Sequence, residues 1–365
     1  MSAQHIGILG VGRLGLCFAL NLERSGYRVT GVDIHEQYVN SLNHKTHHSP
    51  EPQVNELLQH AKRFTATTHI QDVLTDEITL LFIMVATPSL PDGSYDHTQI
   101  ERVAGALINF GRRTKPVHLI IGCTVMPGYT QTLQKRLHEY NYTVSYNPEF
   151  IAQGSIIHDQ LHPDQVLIGE ANTEVGDALQ AVYQTMCLSN PRICRMDVLS
   201  AEICKIATNC FLTTKISFAN SIGDLAVQAG ANPAKILQAI GADSRIGAKY
   251  LHYGYGFGGP CFPRDNRALN VFARTQGYNM LIGEATDAVN RQHLEFQFNQ
   301  LLQQNLPEYV FEEVTYKPGT VILEESQKLA LALKLAQAGK KVVIHEKPEV
   351  VETLKQTYGD LFSYE

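Results

Sequence analysis

Apolar and polar positions follow two different periods along this chain. Residues 5–10, HIGILG, form a short apolar run that closes on glycine. A helical apolar stretch follows at 16–22, and a second apolar run at 27–32 ends on Asp33. Further short apolar runs at 80–85, 118–122, 144–146 and 166–168 predict strands. Helical periodicity over 98–110, 129–138 and 173–184 predicts helices between them. Strands and helices taking turns predict an α/β fold with a mostly parallel, doubly wound sheet of Rossmann type. Ligands of such sheets gather beyond the strand C-termini. The segments that fall there are ATPS at 86–89, CTVMPG at 123–128 and NPEF at 147–150.

From about residue 199 the rhythm changes. Ile203, Ile206, Phe211, Ile216 and Leu225 give a helical spacing, and Gly223 is the one breaker before Gly230. This predicts one long spine helix. Helices are expected again at 233–240 and 283–304. The tail holds YKPGT at 316–320, a helical stretch at 326–338 and a strand at 341–345. The expected organisation is a Rossmann-like domain over 1–198, a central helical domain over 199–305, and a truncated C-terminal α/β unit over 306–365.

The first turn carries the clearest chemistry. GVGRLG at 10–15 lies between an apolar run and a helix, with Asp33 at the end of the next run. Gly10 permits a tight turn, Gly12 lets the backbone approach a pyrophosphate, and Gly15 lets helix and strand pack closely. The helix N-terminus then receives the pyrophosphate. A carboxylate at Asp33 accepts both ribose hydroxyls and repels a 2′-phosphate, so NAD is expected over NADP.

Composition narrows the class. The net charge of −6 and the scattered basic residues exclude nucleic acid as an expected partner. The densest basic cluster, GRRTK at 111–115, reads as an exposed turn. Seven cysteines with no CxxC spacing argue against a disulfide framework or a zinc site, so no metal is expected and the compartment is read as reducing. No signal peptide is indicated, and no apolar run approaches the ~20 residues of a membrane span. The protein is expected in the cytoplasm, without a membrane partner.

A second candidate site lies in the helical part. Six of the ten residues at 254–263 are Gly or Pro, and Cys261 sits among them beside Arg264 and Asp265. A cysteine near Arg and a helix N-terminus is a credible thiolate. Lys205 and Asn209 are four residues apart and share a helix face.

At Cys261 the chain resembles the UDP-glucose/GDP-mannose dehydrogenase family, the nucleotide-sugar 6-dehydrogenases. The matching pieces stand in order: GVGRLG with Asp33, ATPS, CTVMPG, NPEF, HPDQVLIG at 162–169, AEICKIATN at 201–209, RIG at 245–247, GFGGPCFPRD at 256–265 and YKPGT. The resemblance implies oxidation of a sugar CH₂OH to the carboxylate with two NAD in succession, a step toward polysaccharide building blocks. Cys261 would add to the intermediate aldehyde and carry it through a thiohemiacetal and a thioester. Lys205 and Asn209 would steady the oxyanion. Asp265 or Glu149 would activate water, and Thr124 would lie near the nicotinamide. By the same carry-over NAD would contact Val11, Asp33, Thr87, Thr124, Gln153 and Arg264. The substrate, UDP-glucose by preference, would contact Glu149, Phe150, Ile151, Lys205, Asn209, Arg245, Tyr250, Gly254, Gly258 and Lys317. Family members pair through the long helix, so a homodimer is expected.

Four residues depart from the family pattern: Arg264 for Lys, Gln153 for Glu, Glu324 for Arg, and Glu313 for Gly. The family's third domain also runs well beyond what 306–365 provides. A competing reading follows, a degenerate member that binds NAD or a partner without completing catalysis.

Overall fold

The computed structural model describes residues 4–365, and its backbone clusters into two compact units, the first ending at Lys205 and the second Ile206–Glu365. The first unit opens with β1 (His5–Leu9), α1 (Arg13–Arg24) and β2 (Arg28–Val32). Two short helices, α2 (Glu36–Asn43) and α3 (Val54–His60), lead to β3 (Phe64–Thr67). Then come β4 (Ile78–Ile83), α4 (Thr98–Phe110), β5 (Val117–Ile121), α5 (Tyr129–Leu137) and β6 (Tyr142–Tyr146). After these follow α6 (Ile156–Leu161), β7 (Gln165–Gly169), α7 (Thr173–Met186), β8 (Arg192–Met196) and the long α8 (Val198–Gln228), within which the boundary falls.

All eight strands form one sheet in the order β3-β2-β1-β4-β5-β6-β7-β8. The pairings are parallel except β6 with β7, which meet antiparallel at Tyr146 and Gly169. The chain reverses direction of travel across the sheet between β1 and β4, and the crevice beyond their C-terminal ends is where such sheets bind ligands. Two apolar layers cover the sheet. Along β4, Leu80 and Phe82 belong to one layer and Leu81 and Ile83 to the other. That is why these strands read as unbroken apolar runs rather than alternating ones. Each large side chain buried this way contributes about 1.5–3 kcal/mol relative to exposure.

The GRRTK turn departs from the expectation of an exposed basic cluster. Arg113 is buried, donates to the carbonyls of Leu74 and Thr75, and stacks over the Phe110 ring. Its guanidinium has carbonyl acceptors in place of water, which makes the burial tolerable.

The second unit continues α8 and adds α9 (Pro233–Gly241), α10 (Phe262–Thr275) and α11 (Leu281–Gln304). It ends with β9 (Tyr309–Glu312), α12 (Gln327–Gln337), β10 (Val342–His345), α13 (Pro348–Tyr358) and β11 (Ser363–Tyr364). The last three strands form a parallel sheet in the order β11-β10-β9, packed on α12 and α13 with Leu294, Phe298, Leu301 and Leu302 of α11 against the same core. Residues 262–265 are helix rather than loop. Pro263 stands in the first turn of α10, where its fixed φ suits a helix and its missing N–H costs nothing. Among the described residues no helix is long and apolar enough to cross a membrane.

Candidate active site

In the first unit the glycine turn has the geometry its motif requires. Gly10 adopts φ +93°, and a Cβ there would lie 2.8 Å from the Met84 carbonyl oxygen. A Cβ on Gly15 would lie 2.0 Å from the Gly10 carbonyl oxygen, so α1 can approach β1 only with glycine there. Around Gly12 a Cβ would meet nothing within 4 Å, which leaves the start of α1 open to a ligand. No side chain caps α1, and its first turn has no acidic residue. Its leading N–H groups and positive dipole end therefore suit a pyrophosphate. Val11 is buried, and its carbonyl accepts from the Tyr38 hydroxyl at 2.7 Å. Asp33 follows β2 directly, and its carboxylate accepts the His35 N–H at 3.2 Å. These residues fit a dinucleotide with free ribose hydroxyls.

Three loops converge beside that turn. The Thr87 hydroxyl donates to the Thr124 carbonyl at 2.7 Å, joining the loops after β4 and β5. Gln153, in the loop after β6, accepts from the Arg13 guanidinium at the first position of α1. Next to it the Gly154 N–H reaches both oxygens of buried Glu51, at 2.9 and 3.0 Å. Asn147 anchors the same loop, donating to the Leu167 carbonyl at 2.9 Å and accepting from the Tyr183 hydroxyl at 2.7 Å. The loop after β5 is held by buried Glu202 of α8, whose carboxylate accepts the N–H groups of Gly128 at 2.6 Å and Thr130 at 2.9 Å. Arg13, Glu51 and Glu202 were not singled out from sequence. Arg13 is legible in hindsight as the first residue of the pyrophosphate helix, whereas nothing in the local pattern marks the other two.

Glu149, Phe150 and Lys205 come together in the same unit. The Lys205 ammonium lies 4.4 Å from the centre of the Phe150 ring. Burial pushes the Glu149 carboxyl up to about 7, the Lys205 charge pulls it back, and Asp159 adds a smaller upward push. Ile151 turns to the opposite apolar layer from Phe150.

In the second unit Cys261 occupies the N-cap of α10 and is exposed. Its carbonyl accepts the Asp265 N–H at 2.8 Å. Asp265 is itself buried, and one carboxylate oxygen accepts from the Asn209 amide at 2.7 Å while the other lies 3.9 Å from Nε of Arg264. Helix spacing places Asn209 on the same face as Lys205. The bond to Asp265, 56 residues away, adds a partner that no spacing reveals.

The glycines before Cys261 meet a packing constraint. A Cβ on Gly256 would lie 2.2 Å from the Asn290 amide oxygen, and one on Gly258 would lie 2.2 Å from the Glu325 carbonyl. Gly259 has φ +81° and faces the Tyr316 ring. Close approach of the protein to itself requires glycine at these positions. Arg245 is exposed and paired with Asp243 at 2.6 Å. Tyr250 has φ +62°, with its ring 6.1 Å from that of Phe262. Gly254 is bound through both backbone groups, and Lys317 lies in the turn after β9, its carbonyl accepting from Thr315 and Thr320. Glu313 has φ +53°, a region that favours the glycine expected there.

Residues 4–187 match the UDP-glucose/GDP-mannose dehydrogenase family, NAD binding domain, and residues 199–292 match the central domain of the same family. The chain belongs to this family. NAD is accordingly its cofactor, and the chain is an NAD-dependent dehydrogenase. A UDP-glucose 6-dehydrogenase of Haloferax volcanii is 30% identical, over 98% of this chain and 86% of that protein. One of Pseudomonas aeruginosa is 31% identical, over 94% of this chain and 79% of that protein. Among solved structures, a UDP-glucose dehydrogenase from the hyperthermophilic archaeon Pyrobaculum islandicum matches with TM-score 0.88 and 31% identity, covering 100% of this chain and 86% of that one.

Proposed function

We propose that this dehydrogenase oxidises the C6 alcohol of a nucleotide-sugar, UDP-glucose foremost, to the carboxylate through a covalent intermediate on Cys261. The observation that carries the reading is Cys261 at the N-cap of α10, one helical turn from the buried Asp265–Asn209 pair. Bound NAD supplies a hydride acceptor, and two molecules serve one sugar, with one water consumed and three protons released. NAD would be held by Gly10, Val11, Gly12, Gly15, Asp33, Thr87, Thr124, Gln153 and Arg264.

The protein's own groups manage the carbon between the two oxidations. The Cys261 thiolate donates a lone pair to the aldehyde carbon, the C–S bond forms, and the carbonyl electrons move to oxygen. Placement at a helix N-terminus suits an anion and so suits the thiolate. Lys205 and Asn209 donate hydrogen bonds to that oxygen. Loss of a second hydride leaves a thioester at Cys261. Water then adds to its carbonyl, and the C–S bond breaks to return the thiolate. Glu149 is the base for that water. A carboxyl raised to about 7 exchanges protons readily near neutral pH. Phe150, Ile151, Arg245, Tyr250, Gly254, Gly258 and Lys317 are the substrate contacts.

The reading includes a homodimer. Phe211, Phe218 and Leu225 recur every seven residues on α8 and are 65%, 50% and 63% exposed. An apolar stripe of this size is what a second copy would cover.

The test counts NADH per sugar over a panel of UDP- and GDP-sugars. Two NADH per UDP-glucose are expected. Cys261→Ser should keep NAD binding and lose acid formation by orders of magnitude. Acid formed by that variant at the unmodified rate would remove the thioester from the mechanism. NAD binding with no turnover on any nucleotide-sugar would favour the non-catalytic reading.

A further inference from the structure

The loop that leads to Cys261 is tied down by side chains from two helices. On α8, Asn220 and Asp224 are one turn apart, and on α11, Asn290, His293 and Gln297 share a face. Asn290 grips Phe257 on both sides, accepting its N–H and donating to its carbonyl, each at 2.9 Å. Asn220 accepts the Gly254 N–H at 3.1 Å and donates to the Tyr255 carbonyl at 3.3 Å. The Gly254 carbonyl points the other way, to Nε2 of His293 at 2.6 Å and the Gln297 amide at 3.2 Å.

His293 is the unusual member. It is 1% exposed, and its Nδ1 lies 2.9 Å from both oxygens of Asp224. The groups that face the ring are Asp224 from α8, the Gly254 carbonyl and Tyr253 from the loop, and Gln297 from its own helix. A carbonyl can only accept, so Nε2 must carry a proton. The remaining proton is shared between Nδ1 and the Asp224 carboxylate. Nδ1 lies equally close to both carboxylate oxygens, the geometry of one N–H shared by a carboxylate, so the proton belongs to the ring. Tyr253 donates its hydroxyl to Asp224 at 2.9 Å. Burial, and then the bond to Asp224, push its phenol far upward, so it remains a donor and Asp224 the acceptor.

We propose that His293 is a positioning residue: a buried imidazolium clamped between Asp224 and the Gly254 carbonyl, which fixes the start of the loop that delivers Cys261. The proposal rests on the reading of Cys261 as the nucleophile. Removal of either ring proton sets a lone pair against a lone pair, on Asp224 or on Gly254. Loss of a ring proton at high pH then removes one tie and loosens the segment, while its bonds to Asn220, Asn290 and Gln297 remain.

The first measurement is the ring itself. In protein labelled with nitrogen-15 histidine, His293 should show two N–H couplings at neutral pH, assigned by their loss in His293→Gln. A ring with one proton overturns the proposal. The second measurement is hydrogen exchange of the segment 253–257. In His293→Gln it should speed up by about tenfold or more, as expected for loss of a charge-assisted bond. Unchanged exchange also overturns the proposal.

Asp224→Asn serves where the first variant folds poorly. Its amide can donate to Nδ1 of a neutral ring, which still donates to Gly254, and its oxygen still accepts from Tyr253. Exchange should then gain no alkaline loosening, so the ratio of unmodified protein to variant should grow as pH rises. A ratio constant over pH refutes the imidazolium. None of these readouts needs turnover. A protein without dehydrogenase activity that passes them would disprove the proposed function and leave the clamp standing.

Discussion

Replacing Glu149 by Gln tests the electrostatics of the site without reference to substrate. Burial lifts this carboxyl from 4.5 to about 7. In the unfolded chain it ionises near its ordinary value, so between those limits the folded protein holds a proton that the unfolded chain has released. The unfolded state is then favoured by rising pH, and folding stability falls between about pH 4.5 and 7 and is flat beyond. At about 1.4 kcal/mol per tenfold change in proton affinity, the full displacement corresponds to about 3 kcal/mol. Glu149 keeps part of its surface in contact with solvent, which brings the expected figure to about 2 kcal/mol. Urea unfolding of both proteins from pH 4.5 to 8 gives the comparison. Because the chain has two compact units, the first is followed separately through hydrogen exchange in β6. Subtraction cancels the other titrating groups, including buried Glu202, which burial also raises. The Gln variant should gain about 2 kcal/mol on the unmodified protein across the interval. Parallel curves would mean that Glu149 ionises in the ordinary carboxylate range and is not poised as a base near neutrality.

Three shorter predictions follow. Asp33→Ala should weaken NAD by about 10- to 100-fold, the usual scale for losing hydrogen bonds to a charged group, and raise the NADP-to-NAD affinity ratio; fluorescence titration that finds the ratio unchanged would contradict the ribose assignment. Glu313→Gly should stabilise the second unit by about 1 kcal/mol, since a non-glycine residue at positive φ costs about 1–2 kcal/mol and glycine returns part of that through the unfolded chain; a lower urea midpoint would show that φ +53° is not the dominant effect there. Phe218→Asp, at the middle of the exposed α8 stripe, should give monomer by light scattering at micromolar concentration; a dimer that persists would move the interface elsewhere.

Much of the sheet was legible because parallel strands buried on both faces read as apolar runs, and β4 and β5 do so at full strength. β3, with three threonine and alanine positions, and β8, with two arginines in five residues, carry no such signal. α10 was missed for a related reason. Its sequence, FPRDNRALNVFART, opens with proline and charge, so its first turn resembles the glycine loop before it. The antiparallel meeting of β6 and β7 is also invisible, since it rests on one residue pair.

The candidate site divides along the same line. Residues whose role depends on backbone geometry were legible, because Gly10, Gly12 and Gly15 each answer to a local constraint that recurs wherever this turn forms. Residues whose role depends on a distant partner were not. Glu202 reaches the start of α5 from 72 residues away, Glu51 reaches Gly154 from 103, and His293 reaches Asp224 from 69. Each of these side chains holds a loop. Each is a buried polar group that would be costly without its partner. A chain can therefore display its ligand contacts in short motifs while the groups that hold those motifs in register lie scattered, and only the folded geometry brings them together.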